Sequence, residues 1–171
     1  TQNIGKEIDI NWRDANSLPE VKFNQQKELL DVFKEYKATT IANSSNTSEN
    51  IRFVDSIKNG IYEAMEEHDN LVIMGQDIAE YGGVFKITEG LMDKYGKNRV
   101  FNTPLCESSI LSASYGMSIG GFKTIVEMQF SDFISSGFTS IVNLIAKSNY
   151  RWSQNSDIVV RMPCGGGVGA G

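Results

Sequence analysis

Glu107 is the acid whose setting most demands an explanation. It follows Thr103, Pro104, Leu105 and Cys106, and the uncharged stretch SSILSASYGMSIGG follows it. A carboxyl entering such a segment is costly to bury unless it is protonated or paired. That is the setting in which an acid acquires a shifted pKa and a proton-transfer role. The plainer alternative is a carboxylate in the first turn of a helix, favoured by the helix dipole. Glu127, inside TIVEMQF, raises the same question, and the plain reading suits it better: a carboxylate facing outward from a strand. Cys106 and the single histidine, His68, could supply a thiol nucleophile and its base. His68 lies in Glu66-Glu67-His68-Asp69, however, a run that suits a solvated helix end. One histidine, scattered carboxylates and two cysteines without CxxC spacing give no metal-ligand set. The pattern Gly165-x-Gly167-x-x-Ala170 has the form of a dinucleotide fingerprint. No helix and no acidic residue follow it here, so it reads as a permissive loop.

The elements that must position these residues follow from hydrophobic spacing. Phe53, Ile57, Ile61 and Met65 recur every four residues among charges and predict an amphipathic helix. Leu71–Met74 is a short apolar run ending at Gly75 and suits a buried strand. Thr88–Tyr95 reads as a helix capped by Gly96, Arg99–Asn102 as a short strand, and Glu107–Ile119 as a helix ended by Gly120 and Gly121. Lys123–Phe130 is β-prone, Ser131–Asn149 reads as one long helix, and Asp157–Met162 as another buried strand closed by Pro163. Helices and strands thus alternate without hairpin turns. The expected fold class is α/β, a mainly parallel sheet with helices on both faces. In such sheets the ligand crevice lies beyond the carboxyl ends of the strands. Gly75, the Thr103-Pro104-Leu105 loop, the Phe130 region and Gly165 all fall there.

Before this region, Gln25–Tyr36 has the spacing of a short amphipathic helix, and the Ser/Thr/Asn-rich residues 39–50 read as a flexible linker. The net charge of −5 is a poor match for nucleic acid, which requires a concentrated basic face. No apolar run reaches the roughly 20 residues of a membrane span. Lys6, Glu7, Asp9, Arg13 and Asp14 leave no apolar stretch for a secretory signal near the start. With two cysteines far apart in sequence, the expected location is cytoplasmic.

Longer segments carry a resemblance. LVIMGQDIAEYGGVFKITEGLMDKYGKNRVFNTPLCE (Leu71–Glu107), VEMQFSDF (Val126–Phe133) and VNLIAKSNYRW (Val142–Trp152) resemble the β subunit of the decarboxylating component of 2-oxo acid dehydrogenases. NTPLCE is similar to the branched-chain type, where the pyruvate type reads TPISE. The resemblance implies three regions: 1–38 as the tail of an α portion, 39–50 as linker, and 51–171 as a transketolase-like, thiamine diphosphate-binding pyrimidine domain truncated at its C-terminus. Together these imply an α–β fusion protein. The glutamate matching Glu107 would hydrogen-bond a ring nitrogen of the cofactor's aminopyrimidine and so promote deprotonation of the thiazolium carbon. A pKa raised by an apolar pocket would suit that role.

Leu105 matches a contact near the pyrimidine, Gln129 a polar pocket residue, and Phe133 an aromatic packing on the ring. Ordinary core or strand-end packing is the plainer account of each. The chain departs from the family at Gln76, where many relatives carry a glutamate assigned to a link between paired active sites. Magnesium and the diphosphate are implied to be held by the α portion. The implied activity is oxidative decarboxylation of a 2-oxo acid, branched-chain favoured, with acyl transfer to a lipoyl group. The implied partners are the α portion, further copies in a homo-oligomer and a lipoyl acyltransferase, and the isolated chain is expected to be inactive. The alternatives are a transketolase-type enzyme or a non-catalytic subunit-assembly domain, in which Ser112, Ala113, Ser114 and Gly116 would allow close helix contact.

Overall fold

The computed structural model describes residues 2–32, 37 and 48–165. Two N-terminal helices, α1 (Gln2–Ser17) and α2 (Gln25–Val32), precede the sheet region. The sequence reading extended α2 to Tyr36, which lies outside the described residues, as do most of the proposed linker and the glycine pattern beyond Gly165. It did not foresee α1. That helix leaves Ile4, Ile8 and Trp12 exposed, so burial gave its spacing no reinforcement.

The α/β region runs α3 (Phe53–Glu67), β1 (Leu71–Gly75), α4 (Leu91–Tyr95), β2 (Val100–Asn102), α5 (Glu107–Ile119), β3 (Lys123–Glu127), then α6 (Phe138–Ser140), α7 (Ser148–Trp152) and β4 (Ile158–Arg161). All strand pairs are parallel, in the order β2-β1-β3-β4. Alternation along the strands divides the core in two. Ile73, Leu71 and Ile125 pack with Ile61 and Met65 of α3, Leu91 of α4, and Val100. Met74, Val126 and Met128 pack on the other side with Ile110 and Leu111 of α5 and with Ile134, Ile141 and Ile145. Helices therefore cover both faces, as expected for a parallel sheet.

From β1 the chain crosses to β2 on one side, and from β3 to β4 on the other. Connections diverging in this way open a crevice between the carboxyl ends of β1 and β3. Gly75 ends β1 at that point, and a Cβ there would lie 2.6 Å from the Glu127 carbonyl oxygen. Only glycine lets the two strand ends approach so closely. The opposite edge is tied by Arg99, whose guanidinium donates to the carbonyls of Met65 (2.9 Å), His68 (2.6 Å) and Leu71 (3.0 Å).

Several expectations need correction. Phe53 starts α3 but is exposed, so only the later part of the predicted stripe, Ile61 and Met65, is fully buried. The helix expected from Thr88 begins at Leu91, because Gly90 adopts a left-handed conformation (φ 83°), while the Gly96 cap forms as expected. The single helix expected over Ser131–Asn149 is instead a tight 3-10 segment (Ser131–Gly137), α6, a π-type turn (Ile141–Ile145) and α7. Ser135 and Ser136 bond back to the Asp132 and Phe133 carbonyls, which competes with regular helix formation. Gly137 lies hard against α5, where a Cβ would come within 2.3 Å of Leu111. Strand β4 is only partly covered, with Val159 55% exposed, so it is an edge strand rather than a buried one. Among the described residues, no helix is long and apolar enough to cross a membrane.

Candidate functional site

Glu107 is the first residue of α5, at the carboxyl edge of the sheet, and is partly buried. Among the described residues, two side chains engage its carboxylate. Gln76, the residue after β1, donates its Nε2 to Oε1 at 3.3 Å. Ser136, in the 3-10 segment after β3, donates to Oε2 at 3.2 Å. The Ser136 hydroxyl has a single proton and also lies 2.9 Å from the Phe133 carbonyl, so its donation is divided. The sheet thus brings together residues 76, 107 and 136, which the sequence keeps far apart.

The setting differs from the apolar pocket expected for Glu107. The carboxyl is held below the usual glutamate value of 4.5, chiefly by its own backbone N–H. Partial burial opposes this, while the Gln76 amide and the Ser136 hydroxyl add to it. The expected upward shift is therefore absent in this chain, because polar donors face the carboxylate. A carboxyl whose pKa is depressed on folding contributes stability above its unfolded value and loses it as pH falls through the folded one. The stability difference between this chain and a Glu107→Gln variant should be full above the usual glutamate value of 4.5 and shrink below it. Urea midpoints measured across the acid range check this, and a difference that grows on acidification would contradict it.

The other sequence candidates occupy the same edge of the sheet. Leu105 lies on the β2–α5 loop, 79% exposed. Gln129 is half-buried just past β3. Phe133 is 39% exposed, its ring edge-on to Phe130 with centroids 5.7 Å apart. An apolar recess of about 240 Å³ lies alongside, lined by Thr103, Pro104, Cys106, Ser109, Ile110 and Ala113. It flanks Glu107 but does not include it. Among the described residues, no group of three or more His, Cys, Asp or Glu side chains comes together to hold a metal ion.

Cys106 and His68 do not form a pair. His68 precedes β1 at the amino edge of the sheet, whereas Cys106 follows β2 at the carboxyl edge. Cys106 contacts Ser109 instead, at 3.1 Å.

Glu127 overturns its plain reading. It is 1% exposed and paired with Arg161, at the matching position of β4. Arg161 Nε donates to Oε2 at 3.0 Å, and the Val84 N–H donates to Oε1 at 3.4 Å. The signal available in the sequence was the single arginine in the apolar run DIVVRM, which only strand register could pair with Glu127. Serine clustering was also missed. Ser112 meets Ser140 at 3.0 Å, and Tyr115 meets Ser148 at 3.1 Å, so part of the small-residue face of α5 is used within the chain.

Comparison with known proteins agrees with this architecture. Residues 49–171 match the family described as the transketolase pyrimidine-binding domain. The chain is 41% identical over 122 residues to the pyruvate dehydrogenase E1 component subunit beta of Acholeplasma laidlawii, covering 70% of this chain and 37% of that protein. It is 42% identical over 120 residues to the 2-oxoisovalerate dehydrogenase subunit beta of Bacillus subtilis, covering 68% of this chain and 36% of that protein. The subunit of the same name from Pseudomonas aeruginosa is 37% identical over 131 residues, covering 75% of this chain and 37% of its own. The chain thus spans little more than a third of the length of these relatives. With its parallel sheet and these matches, the chain belongs to the transketolase pyrimidine-binding domain family, in the form carried by the β subunits of pyruvate and 2-oxoisovalerate dehydrogenases.

Proposed function

We propose that this chain supplies the pyrimidine-binding half of a thiamine diphosphate site in an enzyme that oxidatively decarboxylates a 2-oxo acid. The observation that carries this reading is Glu107 itself: a partly buried carboxylate at the carboxyl edge of the sheet, steadied by Gln76 and Ser136. When bound, thiamine diphosphate would supply a nucleophilic carbon and an electron sink for the 2-oxo acid. Glu107 takes up and returns a proton at a ring nitrogen of the aminopyrimidine. A basic ring nitrogen placed against this carboxyl would share one proton with it. Leu105 and Phe133 offer apolar surface for the flat faces of the ring, and Gln129 a polar edge.

The diphosphate and magnesium belong, in this reading, to the α portion of the same enzyme. A homo-oligomer and a lipoyl acyltransferase complete the assembly, with the lipoyl group accepting the acyl product. A branched-chain 2-oxo acid is favoured by the NTPLCE stretch and by the 2-oxoisovalerate dehydrogenase relatives. Two exposed free cysteines, Cys106 and Cys164, suit the cytoplasm, where thiols stay reduced. The test compares the complete protein carrying this chain with the 171-residue chain alone. The complete protein should release carbon dioxide from 2-oxoisovalerate only when thiamine diphosphate and magnesium are supplied, and the chain alone should release none. Decarboxylation by the isolated chain, or by the complete protein without the cofactor, would reject the assignment.

A further inference from the structure

Gln76 is 4% exposed and directly follows β1. Its Nε2 bonds Glu107, while its Oε1 is buried with no hydrogen-bond partner among the described residues. A buried acceptor without a donor is unfavourable, so the surroundings do not choose the direction of this amide. Its partner does. Reversing the amide would set a carbonyl oxygen against a carboxylate oxygen. Glu107 thus orients Gln76, and Gln76 in turn fixes one oxygen of Glu107. Ser136 offers weaker control, since its one proton is divided with the Phe133 carbonyl.

The other acidic groups at this edge of the sheet have settings of their own. Cys106 turns to Ser109. Asp132, on the 3-10 segment, is exposed. Glu127, at the end of β3, is committed to Arg161.

We propose that Gln76 is a positioning residue for Glu107: its buried, untitratable amide fixes the carboxylate in one orientation and leaves it to bind its proton alone, with no second carboxyl to share it. The use of that proton toward a ring rests on the function proposed above, but the proton equilibrium itself does not. A carboxylate at position 76 would lie within hydrogen-bond distance of Glu107, and two carboxyls so close hold one proton between them.

The test is a carboxyl carbon-13 NMR titration of the full 171-residue chain without cofactor, with Glu107 identified by its loss in Glu107→Gln. In Gln76→Glu, the pair should retain a proton to a pH higher by about one unit or more. In Gln76→Met, similar in volume but without a donor, Glu107 should move up by a smaller amount. If Gln76→Glu does not fold, the methionine variant decides alone. A Glu107 titration unchanged in the variants that fold overturns the proposal. So does a Gln76→Met chain with a lowered thermal midpoint and an unchanged Glu107 titration, which marks a packing role only. Neither outcome touches the cofactor assignment, which is judged by the turnover of the complete protein.

Discussion

Replacing Glu107 by glutamine in the complete protein should lower thiamine diphosphate-dependent turnover by about 10²–10⁴-fold, the usual contribution of a positioned proton-transfer group. The substitution preserves size and keeps an oxygen to accept from Gln76 or Ser136, the two side chains that engage the carboxylate. The fold should therefore survive near neutral pH. An amide cannot exchange a proton with a ring nitrogen, so the loss should appear in kcat and persist at saturating cofactor and substrate. A loss only in the apparent affinity for cofactor would assign Glu107 to binding alone. Unchanged turnover would favour the subunit-assembly reading, in which this edge of the sheet is merely structural. On the small-residue face of α5, Ser112 already meets Ser140 within the chain and Ser114 is buried, so that reading must rely on Ala113 and Gly116, which remain exposed.

Replacing Arg161 by methionine should destabilise the chain by about 3–5 kcal/mol, because it strands a buried charge. Glu127 is 1% exposed, and the Arg161 side chain is 15% exposed, so solvent cannot replace the lost partner. The pair links β3 to β4, and Glu127 also receives the Val84 N–H of the loop that follows β1. Its loss should therefore loosen the crevice as well as the sheet edge. Replacing Glu127 by leucine at the same time removes the stranded charge and should restore most of the stability, since a buried ion pair is often no better than apolar packing. Urea midpoints of the two single variants and the double variant check this. A double variant as unstable as Arg161→Met alone would show that packing, not charge, sets the cost.

These two residues mark how far the sequence could be read. Glu107 was legible because an acid stands at the head of an uncharged helix, and the α5 boundaries, Glu107–Ile119, agree with the sequence reading. Strand β1 was legible for a similar reason: a strand in the middle of a parallel sheet is buried on both faces and reads as a continuous apolar run. Glu127 was misread because alternation within a single strand cannot reveal a partner on the next one. The 131–149 segment was misread because its apolar spacing fits a helix, while local serine bonds and the close approach at Gly137 break the regular turn.

The sequence by itself therefore determined the α/β alternation, the parallel sheet and the place of Glu107 at the head of α5, since these depend on periodicity and on neighbours along the chain. Only the tertiary structure decided the environment of that acid. Gln76 reaches it from the end of β1 and Ser136 from the 3-10 segment after β3, and with its own backbone N–H they lower its pKa where an apolar pocket had been expected. The physical reason is that a pKa depends on the donors and charges within a few ångströms in space: the largest here, the residue's own backbone N–H, is local, while the Gln76 and Ser136 donors are brought by crossover connections many residues away.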